Sequence, residues 1–408
     1  MADVQDEMDT IKASALAHPR FKANPYPFYA RMRSERPVFQ ASVPIIGRGW
    51  MVTRYEDVVT VATDERFSRD ILPLVRGLPG FVRVPLTRQM LSQDPPDHTR
   101  LRKLVSQAFT PRRIERLRDR IQSVCDGLLD TAPRAASFDL VRDYALRIPL
   151  TVIAELLGIP NEDRQRFHRR AQGSLPLSVA SGILDIALAL PYLWLMMRDF
   201  RRLFAERRAR PGDDLLSALV QAEEAGDRLD EDELLGIANL LLVAGYETTA
   251  HFIGSAALAL LQCPDQRARF VNEPGLTRSA IEELLRYTSP GEMTTPRIAR
   301  EEVTLSSVTI PRGAWVIGVL GSANRDESVF RDPDTLDLAR NPNLHVAFGQ
   351  GRHFCLGASL ARLEAQIALS TLFARFPDLR LTQPVESLRW RRLLPLRGLA
   401  ELSVAGRA

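Results

Sequence analysis

Apolar positions three and four residues apart recur through most of this chain, which predicts a mainly helical protein. The longest such pattern is Asp230–Gln262, about 33 residues with few polar positions in its middle. A helix of that length spans roughly 50 Å, about the width of the whole molecule. Asp230 and Glu233 have the spacing of a capping box at its start. A second long amphipathic pattern covers Ala358–Phe376. Shorter ones cover Pro25–Arg36, Glu56–Ala62, Arg112–Asp130, Arg142–Leu157, Asn161–Gln172, Leu190–Arg208, Asp213–Glu224 and Thr277–Ser289. Asp94 followed by Pro95 predicts one more helix start, which would put His98 and Arg102 on one face. Strand patterns are few: Trp50–Thr53, Val303–Ile310 and Ala314–Val319. The expected class is therefore mainly α with a small β region. No Pro/Ser-rich linker divides residues 1–408, so a single domain is expected, with residues 1–24 as a loosely held tail. Residues 71–91 carry Pro73, Gly77, Pro79, Gly80 and Pro85 and read as a long apolar loop suited to a cavity wall.

Residues 174–197 are apolar over about the length of a membrane span. Pro176, Asp185 and Pro191 would interrupt a span, so a lid over an apolar cavity is the better reading. The start of the chain, MADVQDEMDT, is acidic and polar, without the basic and apolar regions of a signal peptide. The net charge of +4 is small and scattered and gives no reason to expect nucleic acid. Apolar content of 45% and charged content of 25% are ordinary for a globular protein. Only three cysteines are present, Cys125, Cys263 and Cys355, which argues against a disulfide framework and for a reducing, cytoplasmic setting.

Two stretches break the helical rules. The first is Ala244-Gly245-Tyr246-Glu247-Thr248-Thr249, in the middle of the longest pattern. Gly and two Thr there cost about 2 kcal/mol relative to Ala. A carboxylate in an apolar helix costs more unless it is paired or wetted. Small Ala244 and Gly245 would leave room for a flat ligand. Thr248 has the spacing to bond back to the Ala244 carbonyl, opening a groove in which Glu247 relays protons from solvent.

The second stretch is Phe348–Gly357, FGQGRHFCLG. Gly349 and Gly351 permit positive φ and close approach of the backbone. The helix that follows sets its N-terminal N–H groups beside Cys355, as a metal-bound thiolate needs. Phe348 shields the sulfur from water. Gly357 removes a side chain where a macrocycle would lie, and Arg352 and His353 offer polar groups to an acidic edge.

These ten residues fill every defined position of Phe-Gly-x-Gly-x-His/Arg-x-Cys-x-Gly, and the segment resembles the haem-thiolate loop of the cytochrome P450 family. The sextet at 244–249 resembles that family's oxygen-activating signature. Glu283-Leu284-Leu285-Arg286 lies 72 residues before the cysteine (355 − 283), about where the family keeps a structural Glu-x-x-Arg pair. Asn324-Arg325-Asp326 resembles the short segment downstream of that pair.

The resemblance implies a triangular helical prism with minor sheets. In it, haem b lies buried between the long central helix and the cysteine helix. It implies Cys355 as the iron ligand and Glu247 and Thr248 as the acid–alcohol pair of catalysis. His98, Arg102, Arg297 and His353 would hold the haem propionates, with Ala244, Phe348 and Gly357 also around the cofactor. Glu283 and Arg286 would be structural. Leu240, Val243, Met293, Thr294, Leu393 and Leu394 are the substrate-pocket candidates.

The activity implied is monooxygenation. Dioxygen and two electrons are used to hydroxylate or epoxidise a hydrophobic substrate of the polyketide or macrolide, terpenoid, steroid or fatty-acid class. No nicotinamide, flavin or iron–sulfur motif is present, so the electrons must come from a separate ferredoxin and NAD(P)H-ferredoxin reductase. Arg102, Arg112, Arg113 and Arg352 are the expected docking face on a monomeric protein free of membrane. A hydrogen-peroxide-driven peroxygenase and a haem gas sensor or carrier share the cysteine loop and are the alternatives. The peroxygenase would not need Glu247 and Thr248, and the sensor would not need a cavity for organic substrates.

Overall fold

The computed structural model describes residues 10–43, 47–107, 109–132, 137–174, 183–222 and 229–406. The helices that position the site are, in chain order, α1 (Tyr26–Glu35), α2 (Tyr55–Thr63), α3 (Asp97–Ser106), α4 (Arg118–Asp130), α5 (Arg147–Leu156), α6 (Asn161–Ser174), α7 (Ile183–Ala209), α8 (Glu231–Gln262), α9 (Thr277–Thr288) and α10 (Ala358–Arg375).

Helix α8 starts where its sequence says. The Asp230 carboxylate accepts from the Glu233 N–H at 2.7 Å, and the Glu233 carboxylate accepts from the Asp230 N–H at 3.1 Å. Glu231, Asp232 and Glu233 put negative charge in its first turn, against the positive end of the dipole. Beyond that turn the helix is mostly apolar and buried, so it is stable only when surrounded. It packs on α5, α9 and α10, and the main hydrophobic cluster is built on it. On α10, Leu369, Leu372 and Phe373 are buried in that cluster, each stabilising by about 1.5–3 kcal/mol relative to exposure.

Phe138–Asp139, Arg380–Leu381 and Ser403–Ala405 form a small sheet, and the largest part of the β region is a six-stranded one. Its strands are β1 (Ile11–Lys12), β2 (Val38–Val43), β3 (Gly47–Val52), β4 (Phe67–Ser68), β5 (Arg297–Ala299) and β6 (Trp315–Gly318), in the order β1-β2-β3-β6-β5-β4. Strands β4 and β5 are antiparallel, with Ser68 opposite Ile298. Val303–Leu305 and Val308–Ile310 form a separate hairpin.

Several expectations need correction. Residues 10–24 are not a loose tail: Ala13, Leu16, Ala17 and Lys22 are buried, and Lys22 Nζ pairs with Glu292 and donates to the Leu394 carbonyl at 2.8 Å. Only residues 1–9 of the expected tail lie outside the described residues. The 71–91 stretch is largely helical, over Leu72–Val75, Gly80–Thr87 and Met90–Ser92. Its prolines fit into helices: Pro73 sits in a first turn, Pro79 is an N-cap and Pro85 lies inside Gly80–Thr87. The helix expected from Asp94 begins three residues later, at Asp97. The Asp94 carboxylate is used elsewhere, accepting from Ser68 Oγ at 2.5 Å and Arg300 Nη2 at 2.8 Å. Arg112–Asp130 is two helices, and Arg142–Leu157 starts as a single π-helical turn. Of the expected lid, residues 175–182 lie outside the described residues, and the rest opens the 27-residue α7, which runs through Pro191.

A candidate cofactor site at the cysteine loop

The cysteine loop is held by its own backbone. Gly349 and Gly351 have φ of 71° and 70°, the left-handed conformation that the sequence predicts for them. A Cβ on Gly351 would lie 3.2 Å from the Ala62 carbonyl of α2, so the loop lies against the end of that helix. The Cys355 N–H donates to the Phe348 carbonyl at 3.0 Å. Cys355 keeps an exposed face, although burial of the sulfur pushes the thiol up. The Gly357 N–H and the charges of Arg102 and Arg362 act in the opposite sense and favour thiolate. Phe348 packs edge-on to Phe354 at 6.1 Å and lies under Arg362, 4.6 Å from its ring. A Cβ on Gly357 would meet nothing within 4 Å, so open space lies beside the sulfur-bearing turn.

Helix α8 packs on α10, the helix that follows the cysteine loop. It is buried for most of its length, yet Leu240, Val243, Ala244 and Thr248 are partly or fully open. Leu240, Ala244 and Thr248 follow at intervals of four and form one stripe on one helix face. Gly245 does not belong to that opening, contrary to expectation. A Cβ there would lie 2.9 Å from Ile153 on α5, so this glycine serves the packing of α5 on α8. The Thr248 hydroxyl donates to the Ala244 carbonyl at 3.0 Å as expected, but α8 remains one continuous helix. Glu247 is buried rather than wetted. Its Oε2 accepts from Arg391 Nη1 and lies near His251 Nε2, both at 3.2 Å.

Beside the loop lies a cluster of basic side chains short of partners. His98 and His353 pack with ring centroids 4.2 Å apart and planes tilted by 50°, and Nε2 of each is buried without a partner. Arg297, on β5, donates to the Ala62 carbonyl at 2.8 Å and the Phe67 carbonyl at 3.3 Å, but its Nε has no partner. Arg69 follows β4, next to Arg297 by the β4–β5 register. It donates to the Thr295 carbonyl at 3.3 Å, and its Nε is likewise unpartnered. Burial and the neighbouring positive charge of Arg297 hold Arg69 well below its usual range. Burial lowers Arg297 to about 10, His98 to about 4 and His353 to about 2, with nearby arginines adding to each histidine shift. Like charges on adjacent strands are destabilising unless an anion lies between them. The arrangement thus fits an acidic, planar group: basic nitrogens free to meet its edge, an open cysteine, and an open stripe of uncharged side chains on α8. Haem, with two propionates and an iron, has that chemistry.

Sequence reading missed Arg69, since one Arg after a two-residue strand carries no local signal. It also missed Arg391 and His251. His251 at four residues past Glu247 could have been noticed from helical spacing. Among the remaining candidates, Met293 and Leu394 pack in the smaller hydrophobic cluster around Tyr29 and Trp315. Thr294 Oγ1 accepts from the Gly318 N–H at 2.9 Å, and Leu393 is buried.

Glu283 and Arg286 are both fully buried and joined by two hydrogen bonds of 2.7 and 2.8 Å. Arg286 also donates to the carbonyls of Asn324, Pro333 and Thr335, at 2.9, 2.8 and 3.1 Å. Glu282, the competing partner in sequence, instead binds Arg362 of α10 with two bonds of 2.7 Å.

Residues 196–395 match the family model described as Cytochrome P450. The chain is 45% identical over 390 residues to "Cytochrome P450 107B1" of Saccharopolyspora erythraea, covering 92% of this chain and 93% of that one. It is 43% identical over 389 residues to "Vitamin D(3) 25-hydroxylase" of Pseudonocardia autotrophica, covering 94% of each. The solved structure of the cytochrome P450 PksS of the Bacillus subtilis bacillaene polyketide synthase aligns with a TM-score of 0.89 at 39% identity, over 96% of this chain and 99% of that one.

Proposed function

The chain belongs to the cytochrome P450 family and is a haem-thiolate monooxygenase; on that premise we propose how its own residues divide the work and what it oxidises. The observation that carries the assignment of residues is the cluster of basic side chains with buried, unpartnered nitrogens beside an open cysteine. Cys355 would hold the iron through its sulfur, with the Gly357 N–H and the charges of Arg102 and Arg362 favouring thiolate against the push of burial. His98, Arg102, Arg297 and His353, joined by Arg69, hold the propionates. Ala244 would leave clearance for the group on α8, while Phe348 and Gly357 would border the sulfur. When bound there, haem b supplies dioxygen activation and the transfer of one oxygen atom.

Glu247 and Thr248 handle protons. The Thr248 hydroxyl spends its hydrogen on the Ala244 carbonyl, which leaves its oxygen free to accept a hydrogen bond from the open side. Glu247 keeps Oε1 unpartnered and is the proton carrier of the pair. The partly open Leu240 and Val243, with Thr294 and Leu393, offer apolar contacts to a hydrophobic substrate, and Met293 and Leu394 support that wall. A polyketide or macrolide, a steroid-like molecule, a terpenoid or a fatty acid suits such a surface. The printed names of two relatives, a vitamin D(3) hydroxylase and a polyketide-synthase P450, lie in the same range.

Electrons come from a separate ferredoxin and its NAD(P)H reductase, docking on the face that carries Arg102, Arg112, Arg113 and Arg352. Two of those arginines already have acidic neighbours: Arg352 pairs with Glu65, and Arg113 lies 3.5 Å from Asp213. Among the described residues no helix is long and apolar enough to cross a membrane. A cytoplasmic, monomeric, one-domain enzyme is the reading consistent with that. The preserved Glu247–Thr248 pair favours dioxygen over peroxide as the oxidant.

The test has two parts. Titration of the haem-loaded protein with a hydrophobic library should shift its absorption spectrum for at least one class, where a gas sensor would give none. Glu247→Gln and Thr248→Ala should then lower the fraction of electrons recovered in product by about 10–100-fold in the reconstituted system. Peroxide-driven turnover should be spared. Equal loss on both routes would contradict the assignment.

A further inference from the structure

We propose that Lys22, buried near the start of the chain, is a positioning residue for the substrate pocket: its ammonium group holds the tip of the 390–399 hairpin and so fixes where Leu393 meets a substrate. The proposal rests on the reading of Leu393 as pocket wall and of Leu394 as its support.

The tip of this hairpin is held from outside. At its base Trp390 bridges Leu399, and the Arg391 N–H donates to the Gly398 carbonyl at 3.0 Å. Leu394 and Pro395 lie midway between those partners, and their carbonyls accept from other segments. The Leu394 carbonyl accepts from Lys22 Nζ at 2.8 Å. The Pro395 carbonyl accepts from the N–H groups of Glu292 and Met293, at 2.9 and 3.2 Å.

Lys22 closes a ring with these contacts. Its Nζ pairs with Oε2 of Glu292, the residue whose N–H already holds Pro395. The other carboxylate oxygen, Oε1, accepts from the Tyr29 hydroxyl at 2.8 Å. The Lys22 and Glu292 side chains are 0% and 1% exposed, so water does not compete for these bonds. A second cation runs the opposite way. Arg397, on the returning limb of the hairpin, donates through Nε to the Lys22 carbonyl at 2.8 Å and through Nη2 to the Ala23 carbonyl at 3.1 Å. The Pro19–Ala23 helix thus holds the hairpin backbone through a side chain, and the hairpin holds the helix backbone through another.

Stability alone does not account for the pair. The cost of taking a lysine and a glutamate out of water can exceed their mutual attraction, and apolar residues of similar volume often serve as well. Burial lowers the Lys22 ammonium, and the charge and hydrogen bond of Glu292 work against that. What apolar residues cannot do is fix a direction. Met293 and Leu394 lie in an apolar cluster with Tyr29, Phe39 and Trp315, and apolar burial is non-directional. The bond from Lys22 to the Leu394 carbonyl is directional, because hydrogen bonds weaken steeply as their angle closes. Leu393 is the adjacent residue, so a tip held in place is a wall held in place. Lys22 touches no substrate and acts through the backbone of Leu394.

The experiment is a spectral titration of the haem-loaded protein with 1-dodecylimidazole and 1-methylimidazole, two probes that share the iron-binding ring. The ratio of their dissociation constants reads the grip of the pocket wall on the alkyl chain and cancels changes at the iron. Lys22→Met combined with Glu292→Gln removes both charges of the pair and keeps an acceptor for Tyr29. In that double variant the ratio should rise about 10-fold, with the constant for 1-methylimidazole unchanged. Leu393→Ala should move the ratio in the same direction. A merely structural ion pair would change the melting temperature and leave the ratio alone. An unchanged ratio in the double variant, with Leu393→Ala still effective, overturns the role of Lys22. If the double variant does not take up haem, Tyr29→Phe removes one bond from Glu292 and should raise the ratio about 2–3-fold, and no change there overturns the role as well. If Leu393→Ala also leaves the ratio unmoved, the pocket-wall reading itself fails and the role of Lys22 falls with it.

Discussion

Arg286 and Arg297 are both buried arginines, 11 residues apart in sequence (297 − 286), and they sit in opposite conditions. Every N–H-bearing nitrogen of Arg286 is used, by Glu283 and by three backbone carbonyls. Arg297 has two carbonyls, an idle Nε, and a like-charged neighbour in Arg69. The first site is complete within the chain. The second is complete only when something acidic arrives. A buried charge with all its partners is architecture, while a buried charge without them marks a ligand.

That contrast can be broken by mutation. Removing one member of the complete pair, as in Glu283→Gln, leaves Arg286 buried with its partner neutralised and should destabilise by about 3–5 kcal/mol. The loss should appear in urea unfolding of the apoprotein and of the haem-loaded protein alike. Arg297→Leu should behave differently. In the apoprotein it relieves like-charge crowding and should leave stability unchanged or slightly raised. Haem affinity, measured by transfer to a competing haem-binding protein, should fall about 10–100-fold, the equivalent of losing charge-assisted hydrogen bonds to a carboxylate. Arg69→Leu should follow Arg297→Leu. Destabilisation of the apoprotein as large as that of Glu283→Gln would erase the distinction between the two sites.

The smallest effect expected is on pH dependence. His98 and His353 are held neutral in the fold, lowered to about 4 and about 2. Unfolded histidine binds its proton near pH 6.5. Between about pH 6.5 and 4 the unfolded apoprotein therefore takes up protons that the folded form refuses, and stability falls as pH falls. It is fully present above that window. Haem propionates add negative charge beside both rings, so the slope should shrink in the haem-loaded protein. Equal slopes in urea unfolding at pH 7 and pH 5 would mean that the cluster does not meet the propionates.

The sequence announced the helices well, because α8 and α10 must bury nearly all their surface and so carry long apolar patterns. It announced the cysteine loop better still, since Gly349, Gly351 and Cys355 each have a local physical reason. It was weakest where an element depends on distant partners. Val38–Val43 is a strand because Gly47–Val52 lies beside it, and Lys22 is buried because Glu292, 270 residues away, receives it. Asp94 looked like a helix cap and proved to be a partner of Ser68 and Arg300. Glu247 was legible as an anomaly in α8, but Arg391 lies 144 residues further on, and only the fold brings it to that carboxylate.

The account depends most on a bond between Cys355 Sγ and haem iron. X-ray absorption at the iron edge of the purified protein tests it directly. One sulfur scatterer at bonding distance is predicted in the parent and none in Cys355→Ser. A parent without iron-bound sulfur, or a serine variant that retains it, would contradict the assignment.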